Sequence, residues 1–436
     1  MSSCATVGYI PFGPTGTSAE AGWLAEHLSL DVRLAGEAPS LNDGLARTPS
    51  YEDVEAVVED LLGHSAVLAE GPGGLIWASV LRAHGYGGAV TVLPYLNPRR
   101  WDDVAAIAVY RRFARDGDRV FVGSTPSAAI YRSLGIPATV GEPYGIDDRS
   151  FRLRAGTAST RLRLGIPRGR MLIYAGRLQR DKDLYRLLRA CIKARLLFDD
   201  LQVVIATHVE DQQYAERARG GLEGDGHFHF VSDLTPDHLA DLYAEADVFA
   251  TASTSHFETF GRAPAEALAC GTPAVAPRYD GFIEVLDQPG GTLVDVVADH
   301  AGAPCADEEH LLRAIYDVLS ARGSATRSEV SLAARRRFAR TVTINRLGYL
   351  RAATPALPSP AASAAVPATA APALPAAWRR ALGELVALPP AQALDRLWQR
   401  GDHERLAAHD AEFVDGVRRS LCATPGQADV DLRACL

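Results

Sequence analysis

Short apolar runs alternate along the chain with glycine-containing turns and with segments of helical spacing. Residues 5–11 read as a strand, residues 12–16 as a turn and residues 18–28 as a helix with Ser18 as its N-cap. The alternation recurs, with strands at 66–69, 89–93 and 119–122 and helices at 75–84 and 127–134. A Gly71-Pro72-Gly73-Gly74 turn follows the first of these strands. Strand, loop and helix in repetition predict a parallel sheet covered by helices on both faces.

A break falls near Gly145-Ile146-Asp147 and Phe151, and the polar, Arg-rich stretch 152–170 reads as a linker. A second series follows, with strands at 171–175, 201–206, 248–251 and 272–276 and helices at 184–194, 236–245 and 264–269. Gly271 and Pro273 give the last helix its stop. The expected class is therefore α/β, with one doubly wound, Rossmann-like domain at 1–152 and another at 153–340. Such sheets bind ligands at the carboxyl ends of their strands. With two of them, a cleft between the domains is the expected site. Residues 353–377 are mostly Ala and Pro, with no charge between Arg351 and Arg379, and cannot build a core. Beyond them Trp378, Leu382, Leu385 and Val386, then Leu394, Leu397 and Trp398, recur at helical spacing. Residues 378–436 thus read as a small helical appendix, marginal alone and expected to dock on the main body, on a second copy in a homodimer, or on a partner.

Composition narrows the function. The chain has 436 residues, 47% hydrophobic and 22% charged, the profile of a soluble globular protein. A net charge of −8 argues against a nucleic-acid partner held by bulk positive charge. Six scattered cysteines without a CxxC pair fit free thiols in a reducing cytoplasm. No signal peptide and no apolar run of 18 residues is visible in the sequence. Among 45 basic residues Lys182 and Lys193 are the only lysines, which makes each a candidate for a specific task.

The chemistry concentrates in two strings. In the first, residues 253–276, Glu258 and Glu266 stand eight positions apart, one in a loop and one in the first turn of the helix that Pro264 is expected to open. Gly261 between them lets backbone approach a ligand, and a helix N-terminus suits a diphosphate. Carboxylates on either side could accept hydrogen bonds from sugar hydroxyls. Taken singly, each Glu reads equally well as a helix-terminus charge or a solvated loop charge. In the second string, Tyr174 to Leu184, Arg177 and Lys182 would reach two sides of one diphosphate, Arg through two donors and Lys as a mobile point charge. An isolated Arg–Lys pair is more commonly just solvated.

Together these strings resemble the large retaining glycosyltransferase family 4 of the GT-B fold, and the Arg- and Ala-rich composition suits a bacterial source. Its pattern E-x-F-G-x(4)-E-A-x-A-x-G-x-P-x-V-A is met at Glu258, Phe260, Gly261, Glu266, Ala267, Ala269, Gly271, Pro273, Val275 and Ala276. Asp280-Gly281-Phe282-Ile283-Glu284 is similar to the family's downstream Gly-x-x-Glu turn, and Gly145-Ile146-Asp147 with Phe151 to its interdomain segment, with Tyr144 where Asn is common. The resemblance implies that Arg177 and Lys182 hold the donor pyrophosphate and Glu258 the sugar hydroxyls. Thr259, Phe260 and Gly261 lend backbone contacts, and Glu266 holds the ribose. Gly13, Thr15 and Gly16 would belong to a loop closing over the donor, and residues 341–352 to a helix crossing back to the first domain. His256 is a further contact candidate by position.

Two features depart from the family. The first-domain histidine expected after strand 89–93 is absent, and Tyr95 and Asn97 are the candidates for its place on the acceptor side. The Gly-x-Gly after strand 201–206 is replaced by Thr207-His208-Val209-Glu210. The implied protein is a cytoplasmic, metal-independent hexosyltransferase without a cofactor. It would move sugar from a UDP- or GDP-sugar to a small-molecule or lipid acceptor, a specialised metabolite being favoured. The rival readings are a non-catalytic nucleotide-sugar-binding partner protein and a sugar-nucleotide epimerase of the same fold.

Overall fold

The computed structural model of the protein describes residues 6–10, 18–34, 51–71, 73–154, 159–209, 211–222, 224–320, 325–352, 374–398 and 403–420. These fall into two compact units, one of residues up to 144 together with those from 344 to 420, the other of residues 145–343.

In the first unit six strands, β1 (Thr6–Ile10), β2 (Asp31–Leu34), β3 (Ala66–Glu70), β4 (Ala89–Leu93), β5 (Arg119–Val122) and β6 (Thr139–Val140), form one parallel sheet in the order β2-β1-β3-β4-β5-β6. All five residues of β3 are buried, as a strand covered on both faces requires. The core joins Val7, Leu24, Leu28, Leu68, Leu93 and Phe121 to Ile344, Leu347 and Leu350, so the returning segment Ile344–Ala352, a 3₁₀ helix, is packed in this unit.

The helix Trp101–Phe113 has no counterpart in the sequence reading. It is buried along most of its length from Trp101 to Tyr110, and a helix covered on several sides carries no one-sided apolar stripe to betray it. Part of its cover is the appendix. Helices Ala376–Ala387, Pro390–Trp398 and Asp410–Ser420 belong to the same unit. Trp378 is fully buried, its ring 5.9 Å from that of Trp101 and 4.8 Å from that of Phe413. Its indole Nε1 donates to Leu406 O at 3.1 Å, and Trp101 N donates to Asp410 Oδ1 at 3.2 Å. The apolar face that suggested a second copy or another partner is thus used within the chain, where Trp378, Leu385, Leu394 and Leu397 are buried.

In the second unit β7 (Met171–Leu178), β8 (Gln202–Val209), β9 (Phe228–Ser232), β10 (Val248–Ala250), β11 (Ala274–Pro277) and β12 (Gly291–Val294) run parallel in the order β12-β11-β10-β7-β8-β9. The chain moves outward from β7 to β9 on one side and from β10 to β12 on the other, so the order reverses between β7 and β10. Loops leaving the carboxyl ends of those two neighbours part there, which is where doubly wound sheets bind ligands.

The stretch expected as a linker, 152–170, is largely part of this unit. Arg154 Nη1 donates to Asp241 Oδ1 at 2.9 Å and Thr160 Oγ1 to Asp241 Oδ2 at 3.0 Å, tying the segment to the helix Pro236–Glu245. Polarity there reflects a charged contact. Gly145-Ile146-Asp147 also belongs to this unit: Ile146 forms a parallel bridge with Ala339 and donates to Phe338 O at 2.9 Å. Among the described residues no helix is long and apolar enough to cross a membrane.

Candidate active site

The site is built on two loops at the reversal point of the second sheet. Strand β7 runs three residues past its expected end and carries Arg177 itself. Tyr174 Oη donates to Arg177 O at 3.1 Å, fixing that end of the strand. One 3₁₀ turn, Arg180–Lys182, follows. Asp183, at φ 45° in the left-handed region that aspartate tolerates, then starts the helix Leu184–Arg195.

The loop after β10 is a polar string buried against the sheet. Ser253, Thr254 and Ser255 are each 1–2% exposed. Buried hydroxyls need partners: Thr254 Oγ1 donates to Pro304 O at 2.9 Å, while the others accept from the loop's own backbone, Ser253 N donating to Thr251 Oγ1 at 3.2 Å, Ser255 N to Ser253 Oγ at 3.4 Å and Phe257 N to Ser255 Oγ at 3.2 Å. Ser255 Oγ in turn donates to Asp181, which fastens this loop to the turn after β7. Lys182 Nζ then donates to Glu258 Oε1 at 2.6 Å, with side chains 11% and 13% exposed. The Arg177 guanidinium lies 5.0 Å from the centre of the Phe257 ring, and the His256 ring lies 4.2 Å from that ring. Arg177, Lys182, His256 and Glu258, distant in sequence, are therefore brought together.

Behind them, Gly281 N donates to Glu258 O at 3.0 Å. Thr259 and Phe260 are buried, and Phe260 packs edge-on to Phe338 at 5.6 Å. Gly261 adopts φ 86° and caps the helix Arg262–Ala269, and a Cβ there would meet Phe282 Cδ1 at 2.8 Å. This corrects the expected helix start. The helix opens at Arg262, two residues before Pro264, and Glu266 stands in its second turn. Burial pushes the Glu266 carboxyl up to about 7, with Arg262 pulling it down, Asp147 raising it and Arg340 lowering it. Asp147 and Arg340 approach each other to 3.7 Å. The charges felt by Glu266 thus come from its own helix and from the paired 147 and 340 segments, a different set from the Lys182–Glu258 pair.

Of the other expected site residues, Gly13, Thr15 and Gly16 lie outside the described residues. His208 is in backbone register with Arg177 across β7 and β8, but its side chain is outside the described set. In the first unit Tyr95 follows β4 at φ 59°, and its Oη donates to Glu70 Oε1 at 2.9 Å. Asn97 is fully buried. The Tyr95 phenol is pushed well up by burial, then by Glu70 and Glu142. Glu70 and Glu142 escaped the sequence reading. Glu70 had a signal: it is a carboxylate ending an otherwise apolar strand, next to the place where the first sheet's order reverses between β1 and β3. Among the described residues no group of three or more His, Cys, Asp or Glu side chains could hold a metal ion.

The class defined by this fold is a pair of parallel Rossmann-like units of the GT-B type, the second carrying an Arg, Lys and Glu constellation at the end of β7 and on the loops that follow β7 and β10. Residues 161–328 match the family model described as glycosyl transferases group 1. A GDP-mannose-dependent alpha-(1-6)-phosphatidylinositol dimannoside mannosyltransferase of Mycobacterium tuberculosis is 33% identical over 201 residues, 46% of this chain and 51% of that protein. A D-inositol 3-phosphate glycosyltransferase of Arthrobacter is 33% identical over 205 residues, 43% of this chain and 44% of that one. The chain thus spans about half the length of the curated relatives it matches. Among solved structures, Anabaena HepE in complex with UDP and glucose superposes with a TM-score of 0.61 at 16% identity, over 79% of this chain and 98% of that one. Sucrose-phosphate synthase from Thermosynechococcus elongatus gives 0.61 at 18% identity over 79% and 98%. At these identities the structural likeness establishes the fold.

Proposed function

We propose that this chain is a retaining, family 4 glycosyltransferase that moves a hexose from a GDP- or UDP-sugar to an acceptor hydroxyl without a metal ion or other cofactor. The observation that supports this best is the gathering of Arg177, Lys182 and Glu258 at the strand-order reversal of the unit that contains the matched segment. Arg177 and Lys182 neutralise the departing diphosphate, a charge that grows in the transition state. Glu258 accepts hydrogen bonds from sugar hydroxyls, helped by the backbone of Thr259, Phe260 and Gly261 and by His256 at the rim. Glu266 accepts from the ribose hydroxyls. The resemblance alone assigns Gly13, Thr15 and Gly16 to the donor phosphates.

In the transfer itself the bond from the anomeric carbon to the diphosphate oxygen breaks and a bond to the acceptor oxygen forms on the same face. The acceptor proton passes to the diphosphate, and the protein contributes orientation and charge. In the first unit, Tyr95, Asn97 and Glu70 are the side chains proposed to contact the acceptor.

GDP-mannose is the first donor to try, since a relative depends on it, and UDP-glucose the second. Inositol-based acceptors come first for the same reason, ahead of specialised metabolites. The test is incubation of the purified chain with each donor and acceptor, reading nucleoside diphosphate release, product mass and anomeric configuration. A glycoside of retained configuration is expected. An inverted product would remove the retaining mechanism, and epimerised donor without transfer would replace the transferase reading altogether.

A further inference from the structure

Both cations assigned to the donor diphosphate are engaged by the protein's own groups. Arg177 lies over the Phe257 ring, and Lys182 Nζ is 2.6 Å from Glu258 Oε1 in a pair whose side chains are 11% and 13% exposed. The pair is held from both ends. Asp181, next to Lys182, accepts from Ser255 Oγ, and Glu258 O accepts from Gly281 N at 3.0 Å. Taking one partner from a largely buried ion pair leaves the other charge desolvated and uncompensated. A diphosphate that draws Lys182 away therefore strands the Glu258 carboxylate unless other donors reach it. The hydroxyls of an intact donor sugar can do so, because hydroxyls donate well to an ionised acceptor.

On the donor-site reading above, we infer that Lys182 and Glu258 form an exchange latch that distinguishes loaded from spent donor. A nucleotide sugar replaces one pair by two new sets of contacts, Lys182 to phosphate and Glu258 to sugar. The bare nucleoside diphosphate left after transfer replaces it by one set, and Glu258 then faces an anion with nothing to accept from. The pair re-forms as the product leaves. Glu258 thus holds the sugar before transfer and works against the nucleotide afterwards.

The experiment measures dissociation constants by calorimetry for GDP, UDP and their mannose and glucose conjugates. The proteins are the full chain, Glu258→Gln, Glu258→Ala, Lys182→Met and the double variant Lys182→Met with Glu258→Gln, each first checked for a cooperative unfolding transition. The latch predicts that both Glu258 variants bind the preferred nucleoside diphosphate about three- to tenfold more tightly and its sugar conjugate more weakly, as expected for releasing one partly buried pair. In the Lys182→Met background the gain from Glu258→Gln falls below about twofold. A gain of equal size in both backgrounds would reflect simple removal of negative charge and would overturn the latch. Unchanged or weaker diphosphate binding in the Glu258 variants would overturn it as well. No binding of any nucleoside diphosphate by the native chain would overturn the donor-site reading, and the latch with it.

Discussion

Gly281 lies flat against the backbone of Phe260. A Cβ at Gly281 would come within 2.5 Å of the Phe260 carbonyl carbon and 2.6 Å of its Cα and N. Backbone cannot yield as a side-chain tip can, so Gly281→Ala should displace the loop that carries Glu258 and Gly261. The expected loss is about 1–3 kcal/mol of stability, the range for overpacking, together with weakened nucleotide binding. Gly383→Ala makes the control: a Cβ there meets nothing within 4 Å inside the helix Ala376–Ala387, and the change should be neutral or stabilising by up to about 1 kcal/mol. Chemical denaturation of both variants checks the contrast.

The Glu266 carboxyl, raised from its ordinary 4.5 to about 7, binds a proton more tightly in the folded chain than in the unfolded one. The stability this contributes is complete below pH 4.5 and is lost as pH rises to about 7. Relative to Glu266→Gln, the native chain should therefore lose up to about 3 kcal/mol across that window, the upper bound set by the size of the displacement. Because the ionised form accepts hydroxyl hydrogen bonds best, donor affinity should climb in the opposite sense as pH passes about 7. Denaturation and donor titrations at several pH values, for native chain and variant, read both slopes.

Turnover should fall by about 10²–10³ in Arg177→Ala and in Lys182→Ala, the usual effect of removing a charge contact made in the transition state. Steady-state rates at saturating donor measure it. Near-native rates in both variants would remove these residues from the reaction.

Where an apolar run met clear turn residues, the fold was legible with its limits: strands Ala89–Leu93 and Arg119–Val122 and helices Ser18–Leu28 and Pro236–Glu245 fall where the pattern puts them. The two segments that carry Arg177, Lys182 and Glu258 were legible as candidates because their residue types stand in two fixed strings. The loop partnership was not. Nothing in the spacing of Asp181 and Ser255, or of Lys182 and Glu258, 76 positions apart, says that they touch, since the contact depends on β7 and β10 being neighbours. Helix Trp101–Phe113 was hidden because its burial on several sides erases amphipathic periodicity. The start of the helix at Arg262 was misplaced because Pro264, a common helix opener, drew attention from Gly261, whose left-handed backbone does the capping.

The appendix gives a prediction independent of the site. Trp378 is fully buried between Trp101 and Phe413 and donates to Leu406 O. Trp378→Ala should cost about 3–5 kcal/mol of local stability, as for other buried aromatic truncations. Hydrogen exchange should show lost protection in residues 374–420 and in the helix Trp101–Phe113, while the strands of the second unit keep theirs.

The central claim is that the second unit is a nucleotide-sugar donor site. Thermal unfolding of the native chain and of Glu266→Ala, each with GDP, UDP, ADP or dTDP, tests it most directly. A ligand at 100 times its dissociation constant stabilises by about 2.7 kcal/mol. The account predicts a clear upward shift with one of these nucleotides in the native chain and its loss in the variant. No shift with any of them, or an equal shift in both proteins, would contradict it.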